Sequence, residues 1–142
     1  MKVQFVAGFG PIVRDLQESA RFYRDALGLP LPEGDYVATD DLPGVKHFGL
    51  WALEDAAESC FGKREWPKDV PVPQGGIEFD VDDVAAAAAE LRAKGYKLLV
   101  GPKDEPWGQT VARLLSPEGL LVGLTFTPWM REPKKDAPGR PD

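Results

Sequence analysis

The apolar positions of this chain fall into short blocks whose spacing switches between the period of a strand and that of a helix. Val3 to Val13 is an apolar stretch and predicts a strand. From Asp15 to Gly28, Leu16, Ala20, Tyr23 and Leu27 recur at helical spacing; Asp15 suits a helix N-cap, and Gly28 can take the left-handed conformation that ends a helix. Tyr36 to Thr39 and Val45 to Leu53 are two β-rich segments, separated by the turn formers Asp40, Asp41, Pro43 and Gly44.

The second half repeats this grammar. Gly76 to Val81 alternates polar and apolar residues and runs into Asp82 to Gly95, a capped helix whose Ala85 to Ala89 run signals close packing on a sheet. Lys97 to Val100, Thr110 to Leu115 and Leu120 to Thr127 follow as strands, with Ser116, Pro117, Glu118 and Gly119 as the last turn. The Val13 to Leu16 and Val81 to Val84 segments match 68 positions apart, which predicts an internal duplication. Between the halves, Lys63 to Gln74 carries Pro67, Pro71 and Pro73 without a hydrophobic period and predicts an exposed linker. One domain is expected over 1–130, with modules at about 1–66 and 73–130 and a charged, Pro-rich, disordered tail at 131–142.

Composition narrows the function classes. With 43% hydrophobic and 28% charged residues this is an ordinary globular chain, and a net charge of -6 argues against nucleic acid and anionic membrane surfaces as partners. No apolar run approaches the roughly 20 residues that span a bilayer. The N-terminal residues lack a signal-peptide pattern, and the single Cys60 cannot form an intrachain disulfide, so a cytoplasmic location is expected. Cys60 has no sequence neighbour to activate it and is read as structural.

Val13-Arg14-Asp15-Leu16-Gln17-Glu18-Ser19-Ala20-Arg21-Phe22-Tyr23 with Leu27-Gly28 resembles the first strand-helix signature of the glyoxalase, bleomycin-resistance and extradiol-dioxygenase (vicinal oxygen chelate) superfamily. Phe79 to Val84, Pro106-Trp107-Gly108 and Ser116 to Gly119 are similar to its second module. The resemblance implies an α+β fold of two βαβββ modules, their curved mixed sheet enclosing a ligand cleft, and a homodimer. It also implies a divalent metal held by His, Gln or Glu, near each module's first strand and near its last. Here the chain departs from the pattern: those positions fall on Gly8, Gly76 and Gly123, which offer no donor. No metal and no other cofactor is expected.

Strand alternation sorts the cleft candidates. Ile77, Phe79 and Val81 share one face and Gly76, Glu78 and Asp80 the other; Phe48, Leu50 and Ala52 oppose His47, Gly49 and Trp51. His47, Trp51 and Glu78 therefore look into the cleft, and with Trp107, a large aromatic in a loop segment that packing alone explains less well, and Arg113, able to supply a charged contact, they are the candidate ligand-binding residues; His47 is also the candidate for a catalytic base. The bland reading stands beside each: a lone histidine is more often structural or solvated, Trp51 and Trp107 also suit core or dimer packing, and charged strand residues such as Glu78, Asp80 and Arg113 usually face water. An improvised metal site would use His47, Glu78 and Glu54. The favoured function is a metal-free binding protein for an aromatic or amphipathic small molecule, in the manner of an antibiotic-resistance or sequestration factor. The alternative is a metal-dependent lyase, isomerase or dioxygenase of the same superfamily.

Overall fold

The computed structural model describes residues 1–131. Its elements in chain order are β1 (Val3–Val13), α1 (Leu16–Ala20, continuing as a π-helical stretch over Arg21–Ala26), β2 (Val37–Thr39), β3 (Phe48–Ala52), α2 (Leu53–Phe61), β4 (Gly75–Val81), α3 (Val84–Ala93), β5 (Val100–Asp104), β6 (Thr110–Leu115), β7 (Leu121–Phe126) and α4 (Pro128–Arg131). The strands form one curved, unclosed mixed sheet in the order β2-β3-β1-β4-β7-β6-β5. The duplication is visible in its pairing: β1 runs parallel to β3 as β4 does to β7, and β1 and β4 meet antiparallel at the centre. Both module helices are capped alike. The Asp15 carboxylate accepts from Glu18 N and the Asp83 carboxylate from Ala86 N, each at 3.0 Å.

One face of the sheet carries the module helices. Val13, Ala20, Leu31, Val37 and Leu50 bury α1, while Val81, Val84, Ala87, Ala88, Ala112 and Leu124 bury α3 against the second half. The alanine run lets α3 approach closely and favours helix at the same time. The opposite face is divided. One end is filled by a core of Ile12, Ala56, Ala57, Cys60, Trp66 and Leu121, and its middle carries Glu78 and Arg113.

Several expectations change. The first module has two strands after α1 where three are implied, because Leu29 to Glu33 carries Pro30 and Pro32, which cannot donate to a ladder. Strand β3 ends at Ala52, and Leu53 begins α2, in which Leu53, Ala56, Ala57 and Cys60 form an apolar stripe and Gly62 closes the helix at φ 74°. The 63–74 segment is not an exposed linker throughout. Trp66 is 7% exposed, its Nε1 donates to the Val70 and Pro71 carbonyls, and Phe61 packs edge-on against it. The tail expected to be disordered falls at 132–142 outside the described residues, whereas Arg131 is tied down by Asp80 and Asp82. Among the described residues no helix is long and apolar enough to cross a membrane.

Candidate functional site

The pairing register places one row of polar residues across the middle of the face opposite α1 and α3. Gly8 pairs with Glu78, Glu78 with Gly123, and Gly123 with Arg113, so all four positions project to the same side. His47 joins the row at the other end, since a Cβ on Gly8 would lie 3.6 Å from its imidazole. Gly8 and Gly123 are two strand spacings apart, roughly 10 Å. Glu78 stands between them.

A chain of hydrogen bonds runs through this row. Trp107 Nε1 donates to Gln109 Oε1 at 3.0 Å, and Gln109 Nε2 donates to Glu78 Oε1 at 3.2 Å and Thr127 Oγ1 at 2.8 Å. Arg113 Nη1 donates to Glu78 Oε2 at 3.0 Å and Arg113 Nε to Ser59 Oγ at 3.2 Å; Ser59 in turn donates to Glu105, which pairs with Lys103 at 2.9 Å. Arg113 is 2% exposed, and its guanidinium lies 4.8 Å from the centre of the Trp51 ring. Helix α2 thus does more than fill one end of the face. It brings Ser59 to the guanidinium.

At the far side His47 Nδ1 lies 2.7 Å from Asp40 Oδ1, an arrangement that leaves Nε2 toward the groove beside Gly49. The Tyr36 phenol has its pKa raised, first by burial and then by the Asp40 and Glu78 carboxylates. Trp107 is half-exposed at the rim. At the end away from α2, buried Asp80 accepts from Thr127 N at 3.0 Å and from Arg131 Nε at 2.6 Å.

Of the residues singled out in the sequence, His47, Trp51, Glu78 and Arg113 meet in or against this row, and Trp107 reaches it through Gln109. The expectation that strand charges face water is overturned for Arg113 and Asp80, because each is itself buried and has an ionic partner on a neighbouring element. Gln109, Ser59 and Asp40 were not singled out. Asp40 lay in a predicted turn and Ser59 in an unpredicted helix, so no periodic signal marked either.

The metal positions can be tested on the geometry. The 68-position displacement carries Phe9 onto Ile77, and the parallel partners of these two are Phe48 and Val122, so by strand pairing Gly49 on β3 stands where Gly123 stands on β7 and completes the set with Gly8 and Gly76. The space a side chain would take at each is already lined. His47 lies over Gly8 and Gly49, Ile12 and the Leu121 backbone border Gly76, and Arg113 with Glu78 covers Gly123. Glu54 is not brought to His47 and Glu78; it pairs with Arg64 on exposed α2 surface. Among the described residues no three His, Cys, Asp or Glu side chains converge as a metal site. A cation, Arg113, stands beside the carboxylate instead, and these residues do not fit a divalent metal. Cys60 lies in the apolar core with its thiol pushed up to about 11 by burial.

Comparison with known proteins agrees with this architecture. Residues 8–124 match the Glyoxalase/Bleomycin resistance protein/Dioxygenase superfamily. The chain is 28% identical over 118 residues to the uncharacterized protein YraH of Bacillus subtilis, a match covering 80% of this chain and 91% of that one. A Streptomyces coelicolor methylmalonyl-CoA epimerase in complex with 2-nitronate-propionyl-CoA shares the fold at a TM-score of 0.56 and 23% identity, covering 89% of this chain and 99% of that one. A superfamily member from Vibrio splendidus aligns at a TM-score of 0.55 and 17% identity, over 87% of this chain and 100% of that one.

Proposed function

The chain belongs to the glyoxalase/bleomycin resistance protein/dioxygenase superfamily, and from that premise we propose that it binds a small molecule in this groove without a metal ion. The observation that supports the reading is the set of four glycines at the family's ligand positions, with His47, Arg113 and Glu78 lying over three of them. His47, Trp51, Glu78, Trp107 and Arg113 form the contact set. Flat apolar area is offered by Trp107 and Tyr36 at the rim, and hydrogen-bonding capacity by Arg113 and His47. The molecule is aromatic or amphipathic, and sequestration, as of an antibiotic, is the role such a site serves.

The sheet that carries the polar row is unclosed in a single chain. The depressions beside α3, lined by Asp82, Asp83 and their neighbours, do not border the polar row. A homodimer that sets a second copy over the open side would enclose the ligand, and a cytoplasmic setting suits the buried free thiol. The test is elemental analysis of protein purified without chelator, together with native mass spectrometry for retained small molecules. A retained organic molecule with metal well below one per chain supports the reading. About one tightly held transition metal per chain overturns it.

A second reading rests on the Asp40 and His47 pair, which has the form of an oriented general base. On that reading the protein is a metal-independent isomerase or lyase. Exchange of solvent deuterium into a retained ligand, lost in His47→Gln, distinguishes it from simple binding.

A further inference from the structure

We propose that Arg113 is the anion receptor of the groove and that its ligand presents a single carboxylate on a flat, unsaturated body. The proposal rests on the small-molecule reading above. A guanidinium has five N–H donors and no acceptor. In Arg113 one donates from Nε to Ser59 Oγ and one from Nη1 to Glu78 Oε2, which leaves three without a protein partner among the described residues. Buried donors are nearly always met, and here the side chain is all but fully buried. The unmet donors are not sealed off in the core. Arg113 Nη2 has no hydrogen-bond partner and is not among the fully buried unpartnered side-chain atoms of the described residues, so it retains some accessible surface.

The neighbouring acceptors bond other donors, and none bonds Arg113 Nη2. Glu78 Oε1 takes Gln109 Nε2 and its Oε2 takes Arg113, while Ser59 Oγ accepts from Arg113 and spends its own proton on Glu105. What is missing is an acceptor from outside, with two lone pairs in one plane to meet a planar fork, which is the shape of a carboxylate. Arg113 and Lys103 are matched by Glu78 and Glu105, so a doubly charged phosphate brings more repulsion from the two carboxylates than a monoanion that shares Arg113 with Glu78. The body of the ligand follows from the neighbouring rings: Trp51 lies against the guanidinium, and the half-exposed Trp107 is tied to Glu78 through Gln109.

The experiment uses the full-length protein and three matched probes, 2-naphthoate, 2-naphthamide and 2-naphthylmethylammonium, titrated by calorimetry at low and high salt. The expected result is that the carboxylate binds at least tenfold more tightly than the amide and that the ammonium binds most weakly. Glu78→Gln, which removes the competing carboxylate, should tighten naphthoate several-fold, and Arg113→Gln should erase the preference for acid over amide. The comparison of acid with amide needs no variant, so it decides the matter even if Arg113→Gln does not fold. Equal affinity for acid and amide overturns the receptor role while leaving the groove as a binding site. Failure of all three probes to bind overturns the binding reading with it.

Discussion

Arg113 reaches Glu78 directly over Gly123, and the absent side chain of that glycine is what lets them meet. Nη1 donates to Oε2 at 3.0 Å, and a Cβ on Gly123 would stand 3.1 Å from the same Nη1 and 3.3 Å from Glu78 Cγ. Gly123→Ala should therefore push the pair apart and cost about 1 to 3 kcal/mol, the range for overpacking a filled site. Urea unfolding reads it. An unchanged midpoint would mean that the pair yields freely.

The same pair predicts an asymmetry. Glu78→Ala leaves a buried guanidinium without its counter-ion, a loss of about 3 to 5 kcal/mol. Arg113→Met leaves Glu78, which is 24% exposed on its side chain and still accepts from Gln109. That change should cost only about 1 to 3 kcal/mol. Calorimetric melting of the two variants gives the order, and the reverse order would show that Arg113's charge is balanced elsewhere.

The periodic parts of this architecture were legible in the sequence. Alternation along β4 sorted Glu78 from Phe79, the caps at Asp15 and Asp83 located both module helices, and the 68-position repeat set Gly76 in the second module where Gly8 stands in the first. Helix α2 was hidden because its first residues extend a β-rich segment, although Leu53, Ala56, Ala57 and Cys60 recur at helical spacing ahead of Gly62. The burial of Arg113 was not legible at all. Its partners Glu78 and Ser59 lie 35 and 54 residues away, and only the folded sheet and α2 bring them together.

Cys60 supplies a prediction with a definite sign. Burial raises its thiol to about 11 in the folded chain, against roughly 8.5 when unfolded. The folded state keeps the proton across the interval between these values while the unfolded state releases it, so this group's contribution to stability is complete below about pH 8.5 and falls as pH rises toward 11. Wild type should lose more stability between pH 8 and pH 10 than Cys60→Ala does in the same buffers. In the native protein the thiol should also resist a disulfide reagent at pH 8 that labels it promptly in urea. Prompt labelling without denaturant would show that α2 opens readily.

The two tryptophans nearest the groove's rim and its core end separate binding from packing. Trp66 is 7% exposed, packs on Phe61 and the Ile12 and Leu121 cluster, and donates to two backbone carbonyls. Its truncation to alanine should cost about 3 to 5 kcal/mol. Trp107 is 52% exposed and is anchored by one hydrogen bond to Gln109. Trp107→Ala therefore removes little buried area and should change stability by no more than about 1 kcal/mol, the net worth of that bond. If its ring covers a bound aromatic molecule, the same variant loses roughly 0.5 to 1.5 kcal/mol of stacking beyond the area buried, which at about 1.4 kcal/mol per tenfold is a several-fold weaker affinity. Thermal melting and naphthoate titration of the single variant read the two effects separately. A small shift in melting temperature with weakened binding places Trp107 in the site, whereas a large drop in melting temperature with unchanged affinity makes it a packing residue and removes it from the contact set.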